Sequence, residues 1–297
     1  AHMYLGRVAL GRVDAEGKDY YPDADWPEAI RHYRQALDLG IERLNFNYFA
    51  HTLESLGLGY FNDGQYEKSR EIYLQKIRAF PNSFFEVEYF STFWARFLTA
   101  DMDFRFLGKP EEAVELLKPI SLPENADPKN IYKVHALLAR LYIYFNDAEN
   151  AEKYAKLALA SAPDGLSNTD IDIRGAHAVL AAVYGKQKEF KALEKSVKNA
   201  VIYGMSESDA RCMRAIAYFY GEKYGQAVDY GKDPAESSES YFKSLCLAAA
   251  GLSYSELGKT TEARKYFKEY IDFTESWMEK NIFVMRYREM FLKELSE

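Results

Sequence analysis

Cysteine, histidine and proline are scarce in this chain, and each scarcity excludes something. Two cysteines, Cys212 and Cys246, among 297 residues cannot build a disulfide framework. No Cys/His spacing of a metal site accompanies them, so both are expected as small buried apolar residues in helices. The five histidines are scattered singly, His32 and His51 in isolation. No HExxH, no glycine-rich phosphate loop and no GxSxG occurs. The acidic pairs Glu111-Glu112 and Asp170/Asp172 fall at helix starts, where a carboxylate favours the helix dipole. No catalytic residue, metal ligand or cofactor is therefore expected, and the chain reads as non-enzymatic.

Other absences narrow the partners. A net charge of −7 and a pI near 5.5 leave no basic footprint for nucleic acid. No apolar run approaches the roughly 18–20 residues of a membrane span. Ala1-His2-Met3 resembles a remnant of tag removal, with native sequence expected from about Tyr4. The cysteine usage fits a bacterial cytoplasm and a periplasm equally.

What the chain has in quantity is aromatic and apolar surface. Apolar residues make up 48%, with 24 tyrosines and 19 phenylalanines. No stretch alternates with period two for long, so no sheet is expected. Residues 132–163 read as two helices broken at Asn146-Asp147 and stopped by Pro163. Ala139 and Ala151 are placed where two helix backbones would cross closely, with Leu138 and Tyr142 on the same face. Such a hairpin cannot bury its apolar stripe alone. Similar units fill the rest of the chain.

Capping and breaking residues divide the chain. Asp25-Trp26-Pro27-Glu28 predicts a helix start with a capping box, and Gly40 its end. Helices are expected over about 41–62, 65–80, 82–107 and 110–118, and SLPENADP (121–128) reads as a linker. Beyond the 132–163 hairpin, helices are expected near 169–186, 189–203, 209–222, 224–230, 238–257, 261–273 and 275–294. The resulting division is 4–25 N-terminal segment, 26–120 first repeat set, 121–128 linker, 129–275 second repeat set and 276–297 capping helix.

These units resemble the tetratricopeptide repeat (TPR), a helix–turn–helix of about 34 residues written W-x2-L-G-x2-Y, A-x3-F, P. The 132–163 hairpin gives His135 in the Trp slot, Leu138, Ala139 for Gly, Tyr142, Ala151, Ala155 in the Phe slot and Pro163. The 50–81 stretch gives Leu53, Leu56-Gly57, Tyr60, Ser69, Tyr73 and Pro81. The 244–275 stretch gives Leu247, Ala250-Gly251, Tyr254, Ala263 and Phe267. Weaker copies lie near 174–205 (His177, Leu180-Ala181, Tyr184), 208–231 (Ala215, Tyr218, Ala227) and 94–120 (Phe104, Ala113, Leu117). In the last of these Asp101 stands in the Gly slot, which puts its tight crossing in doubt. The aromatic slot falls at 60, 104, 142, 184, 218 and 254, so most copies are longer than the standard repeat. The resemblance implies an all-α, right-handed helical-hairpin solenoid, an α–α superhelix of about six hairpins plus a C-terminal capping helix.

It also implies a function, protein binding by a scaffold or adaptor, and a face that performs it. In the family, slots 9, 12 and 13 of each first helix look into the concave groove. Here they give Leu58 and Phe61, Met102, Arg105 and Phe106, Arg140, Ile143 and Tyr144, Ile216, Phe219 and Tyr220, and Leu252 with Ser255. No Asn occupies slot 9, which argues against a clamp for a peptide's terminal carboxylate. The set is apolar and aromatic with two arginines, suited to an amphipathic helix or an extended apolar peptide. Phe61, Tyr144 and Phe219 are the expected anchors, and Arg105 and Arg140 the expected readers of acidic groups on the ligand. Ala182 and Gly185 leave room in their unit, the one hint of a small-molecule or short-peptide sensor. The last helix carries apolar residues on more than one face: Met278, Ile282, Phe283, Met285, Tyr287, Met290, Phe291 and Leu295. One face is expected to cap the array; the surplus has a partner, a second copy or the chain's own groove open to it.

Overall fold

The computed structural model describes residues 25–40, 46–81, 92–121, 130–163, 170–234, 240–275 and 281–296. All but Asp25 of the N-terminal segment, all but Ser121 of the expected linker, and Met278 lie outside them. Helices begin where short polar side chains take up the free amides of a first turn. Asp25 Oδ1 accepts from Glu28 N, and Asp147 Oδ1 from Asn150 N, each at 3.0 Å. Asp170 Oδ1 accepts from both Asp172 N and Ile173 N, and Ser206 Oγ from Asp209 N. The Glu28 carboxylate, expected to complete a capping box, pairs with the Arg31 guanidinium at 2.8 Å.

Fourteen α-helices and no strand occur among the described residues. They fall into two compact units, Ala1–Asp127 and Pro128–Glu297. The first holds α1 (Trp26–Asp38), α2 (Phe46–Asn62), α3 (Tyr66–Ala79), α4 (Phe93–Met102) and α5 (Pro110–Leu117). The second holds α6 (Ile131–Tyr144), α7 (Ala148–Ala160), α8 (Ile171–Lys186), α9 (Phe190–Ile202) and α10 (Glu207–Tyr220). It continues with α11 (Tyr224–Gly231), α12 (Ser240–Glu256), α13 (Thr260–Glu275) and α14 (Ile282–Ser296). Six antiparallel hairpins result, α2/α3 and α4/α5 in the first unit and α6/α7, α8/α9, α10/α11 and α12/α13 in the second. Within the second unit α6, α8, α10 and α12 lie side by side, and each second helix also touches the next first helix. This is the all-α hairpin-repeat fold expected.

The six hairpins share one turn. The residue four past each aromatic slot takes a left-handed conformation: Gly64, Gly108, Asn146, Lys188, Glu222 and Gly258, with φ between 60° and 73°. The next amide then reaches back to the carbonyl of the slot residue, as Asp147 N does to Tyr142 O at 3.0 Å. A left-handed Lys or Glu costs on the order of 1 kcal/mol more than Gly there. Lys188 and Glu222 are therefore held by the turn rather than choosing it, and their side chains pair with each other.

One unit departs from this pattern. A π-turn, Asp103–Leu107, interrupts the end of α4, and Lys109 N reaches Asp103 O instead of Phe104 O. A π-turn takes up one extra residue. The fully buried Ala100 thus supplies the small residue that the sequence pattern sought at position 101, and Asp101 stays half-exposed. The extra residue also brings Asp103 inside, where its Oδ1 accepts from Arg70 Nε of α3 at 2.6 Å. Burial pushes the Asp103 carboxyl up, with Arg70 opposing.

Close crossings follow a size rule. The position of a Cβ on Gly57 lies 2.8 Å from the Tyr73 ring, and on Gly251 it lies 2.7 Å from the Phe267 ring. In the 132–163 hairpin the equivalent positions are Ala139 and Ala155, and both are fully buried in one cluster. A ring is accommodated only where the opposing position has no Cβ. The missing Phe in the 132–163 pattern is thus matched by its missing Gly.

Two cysteine positions differ from expectation. Cys212 on α10 and Cys246 on α12 are buried, but they are joined by a disulfide, their Cα atoms 4.6 Å apart. Their separation of 34 residues is one standard repeat, which brings neighbouring first helices into register.

Candidate functional site

Thirteen side chains were expected on the inner face; Ser255 is exposed, and the fold treats the other twelve in three ways. Met102, Phe106 and Ile216 are core residues. Met102 and Phe106 pack with Tyr73, Ile77 and Ala95, and Ile216 lies in the main cluster of the second unit. They are corrected from contact residues to packing residues. For Met102 the reason is the π-turn, which changes the helical phase between it and Phe104.

Leu58, Phe61, Arg105, Arg140, Ile143, Phe219 and Leu252 are half-buried. Phe61 stands edge-on to Phe106 at 6.1 Å, and Phe106 stacks on Tyr66 at 3.9 Å, so aromatic packing fixes the exposed edge of Phe61. Phe219 lies 5.8 Å from Tyr220 and 6.0 Å from Tyr224. The two arginines already have carboxylates of their own chain. Arg140 Nη2 donates to Asp172 Oδ1 at 3.3 Å, and Arg105 Nη1 to Asp101 Oδ2 at 3.4 Å. The next repeat's first helix, for Arg140, and the preceding turn, for Arg105, supply what a ligand was expected to bring.

Tyr144 and Tyr220 form the third group, because α14 lies on them. The Phe283 ring meets the Tyr144 ring edge-on at 5.6 Å. Arg286 Nη1 donates to the Tyr144 carbonyl at 2.9 Å, and its guanidinium lies 5.5 Å from the centre of that ring. The Tyr287 and Tyr220 hydroxyls are 2.9 Å apart. The opposite side of α14 covers the last hairpin. Phe291 stacks on Phe267 at 4.3 Å and meets Tyr270 edge-on at 5.0 Å. Tyr270 Oη donates to Val284 O at 3.1 Å, and Arg264 to Leu295 O at 2.7 Å. The last helix therefore uses two apolar faces, one as a cap and one as a strap across α6 and α10.

The model of the tetratricopeptide repeat family matches residues 132–164 and 246–276. These are α6/α7 and α12/α13. A tetratricopeptide repeat protein from Parabacteroides merdae ATCC 43184 superposes with a TM-score of 0.64 at 15% identity, over 98% of each chain. Two of its hairpins thus match the tetratricopeptide repeat, and the chain as a whole shares the fold of such a protein. Two further solved structures, at TM-scores of 0.33 and 0.34, are too distant to carry an argument. They are the TPR2AB-domain–pHSP90 complex of yeast Sti1 (12% identity, 100% of this chain and 97% of that) and BtubC (BKLC) from P. vanneervenii (13%, 91% and 93%). No curated protein matches the chain.

The part of the second unit around α14 is rich in buried tyrosine. Burial pushes the Tyr220, Tyr241, Tyr270 and Tyr287 phenols up, so all four stay neutral donors. Lys186, at the end of α8, lies 4.8 Å from the centre of the Tyr220 ring and donates to the Asn146 side chain. Burial and the nearby Arg286 guanidinium both push its ammonium down. The His slots are packing positions. His135 lies 5.9 Å from the Tyr154 ring and His177 stacks at 5.9 Å on Tyr203, where burial pushes its pKa down to about 4. The room expected at Ala182 and Gly185 is absent, since a Cβ on Gly185 falls 2.2 Å from the Ala217 carbonyl oxygen. That glycine serves direct contact between α8 and α10 backbones. Among the described residues no three His, Cys, Asp or Glu side chains gather to hold a metal ion. No described helix is long and apolar enough to cross a membrane.

Proposed function

We propose that this tetratricopeptide-repeat chain is a non-enzymatic scaffold that binds a protein partner, in peptide or helical form, on the inner faces of its first helices. The observation that carries the reading is α14. A helix already lies on Tyr144 and Tyr220, two of the residues expected to receive one. Leu58, Phe61, Ile143, Phe219 and Leu252 add half-buried apolar surface of the same kind. Arg105 and Arg140 act as spacers and packing groups in this reading, because Asp101 and Asp172 satisfy them.

The test is capture of protein partners from the source organism by the wild-type chain and by Phe61→Ala/Tyr144→Ala/Phe219→Ala. Capture lost with the helical content intact supports the reading, and undiminished capture overturns it. The sensor alternative loses its one support at Gly185. Self-assembly through the last helix has only Met290 and Leu292 as exposed apolar residues, since Tyr287 and Phe291 are buried in their own chain. The Cys212–Cys246 disulfide favours an oxidising compartment as the place of work.

A further inference from the structure

The two faces of α14 make largely different contacts, with Tyr287 shared between them, since its ring also meets that of Tyr270 edge-on at 6.3 Å. Phe291, the Val284 carbonyl and the Leu295 carbonyl hold it to α13. Arg288 adds a bond to the Ile271 carbonyl at 3.1 Å. None of these involves α6 or α10. The strap face is a short stripe, Phe283, Arg286 and Tyr287, at the i, i+3, i+4 spacing that places side chains in one row. What it meets is specific. The Tyr144 carbonyl belongs to the last turn of α6, where no intrahelical donor is left and the dipole is negative. A donor from a crossing helix satisfies it at 2.9 Å.

Arg286 is suited to that place, since its guanidinium also lies 5.5 Å from the centre of the Tyr144 ring and a helix C-terminus favours a cation.

We propose that the α6/α10 face is a helix-docking site whose resident occupant, α14, is exchangeable. The partner it fits is an amphipathic helix with an aromatic residue at i, a hydrogen-bond donor at i+3 and Tyr at i+4. This rests on the protein-binding reading and names its ligand class.

The probe is a fluorescein-labelled peptide of residues 281–296, followed by anisotropy against the full chain. The native chain is expected to bind it weakly, because the tethered helix competes at an effective concentration in the millimolar range. The full-length variant Phe283→Ala/Arg286→Ala keeps the α13-facing residues and is expected to bind at least about tenfold more tightly. Adding Tyr144→Ala and Tyr220→Ala should reverse the gain. No gain in the strap variant, or a gain that survives loss of both tyrosines, overturns the proposal. If the strap variant fails to fold, hydrogen exchange on the native chain decides. Amides 283–287 opening well ahead of α13 support exchange, and opening together with α13 overturns it. Partner capture by the Phe61/Tyr144/Phe219 variant tests the broader reading separately, so either can fail alone.

Discussion

The hydroxyls of Tyr220 and Tyr287 meet at 2.9 Å, 67 residues apart in the chain, within a cluster of phenols kept neutral by burial. Removing one hydroxyl leaves the other buried and unpaired, which costs about 1–2 kcal/mol. Tyr220→Phe and Tyr287→Phe are each expected to lose that much in urea unfolding. The double variant should lose little more than either single, and a double-mutant cycle reads the coupling directly. Additive losses would show that the pair is not a working bond.

Gly57 and Gly185 are both close-approach glycines with different neighbours. A Cβ on Gly57 meets the Tyr73 ring at 2.8 Å, and a ring can shift by a few tenths of an ångström. A Cβ on Gly185 meets the Ala217 carbonyl oxygen at 2.2 Å, and helix backbone, with that carbonyl already held by Gly221 N, cannot. Gly57→Ala should cost about 1–3 kcal/mol, in the range of overpacked cores. Gly185→Ala should cost more and shift α8 against α10. Equal costs in chemical denaturation would contradict this ordering.

Cys212 and Cys246 close a loop one repeat long between α10 and α12. Loop-closure entropy for that length corresponds to about 3–4 kcal/mol. Cys212→Ala/Cys246→Ala should unfold at correspondingly lower urea, and dithiothreitol should lower the wild type by a similar amount while leaving the variant unmoved. Two titratable thiols in the unreduced, denatured wild type would rule the bond out.

His177 is buried, no hydrogen-bond partner reaches its Nδ1, and its pKa lies near 4 instead of 6.5. The unfolded chain therefore binds the proton more readily. This residue's contribution is complete above about pH 6.5 and is lost as pH falls from there toward 4. Between pH 7.5 and pH 5 the loss should be roughly 1–2 kcal/mol. His177→Phe should remove that part of the pH dependence, and an unchanged slope would show that the imidazole is not the group responsible.

Much of the fold was legible because the repeat pattern is local. Ala139, Ala151, Gly57 and Gly251 marked the crossings, and Gly64, Gly108, Asn146 and Gly258 marked the turns. Lys188 and Glu222 take the same turn without its usual residues, so only alignment with the other copies could place them. The π-turn after Met102 had no composition signal beyond a charged residue at 101 where a small one was due, and that mismatch was its trace. The disulfide did have a signal, a spacing of one standard repeat between two cysteines on first helices. A count of two cysteines alone does not carry that signal; it lies in the repeat period.

By itself the sequence determined the features that periodicity dictates: hairpin units, their small crossing residues and the row of apolar side chains on each first helix. Those depend on positions a few residues apart, which fixed helical geometry converts into faces. Tertiary structure decided the use of those faces. Whether Tyr144 meets solvent or Phe283, Arg140 a ligand or Asp172, and Gly185 a cavity or the Ala217 carbonyl depends on how successive hairpins are rotated. That rotation sums many small packing choices, and in the second unit it carries α14 onto the end of a helix 142 residues away.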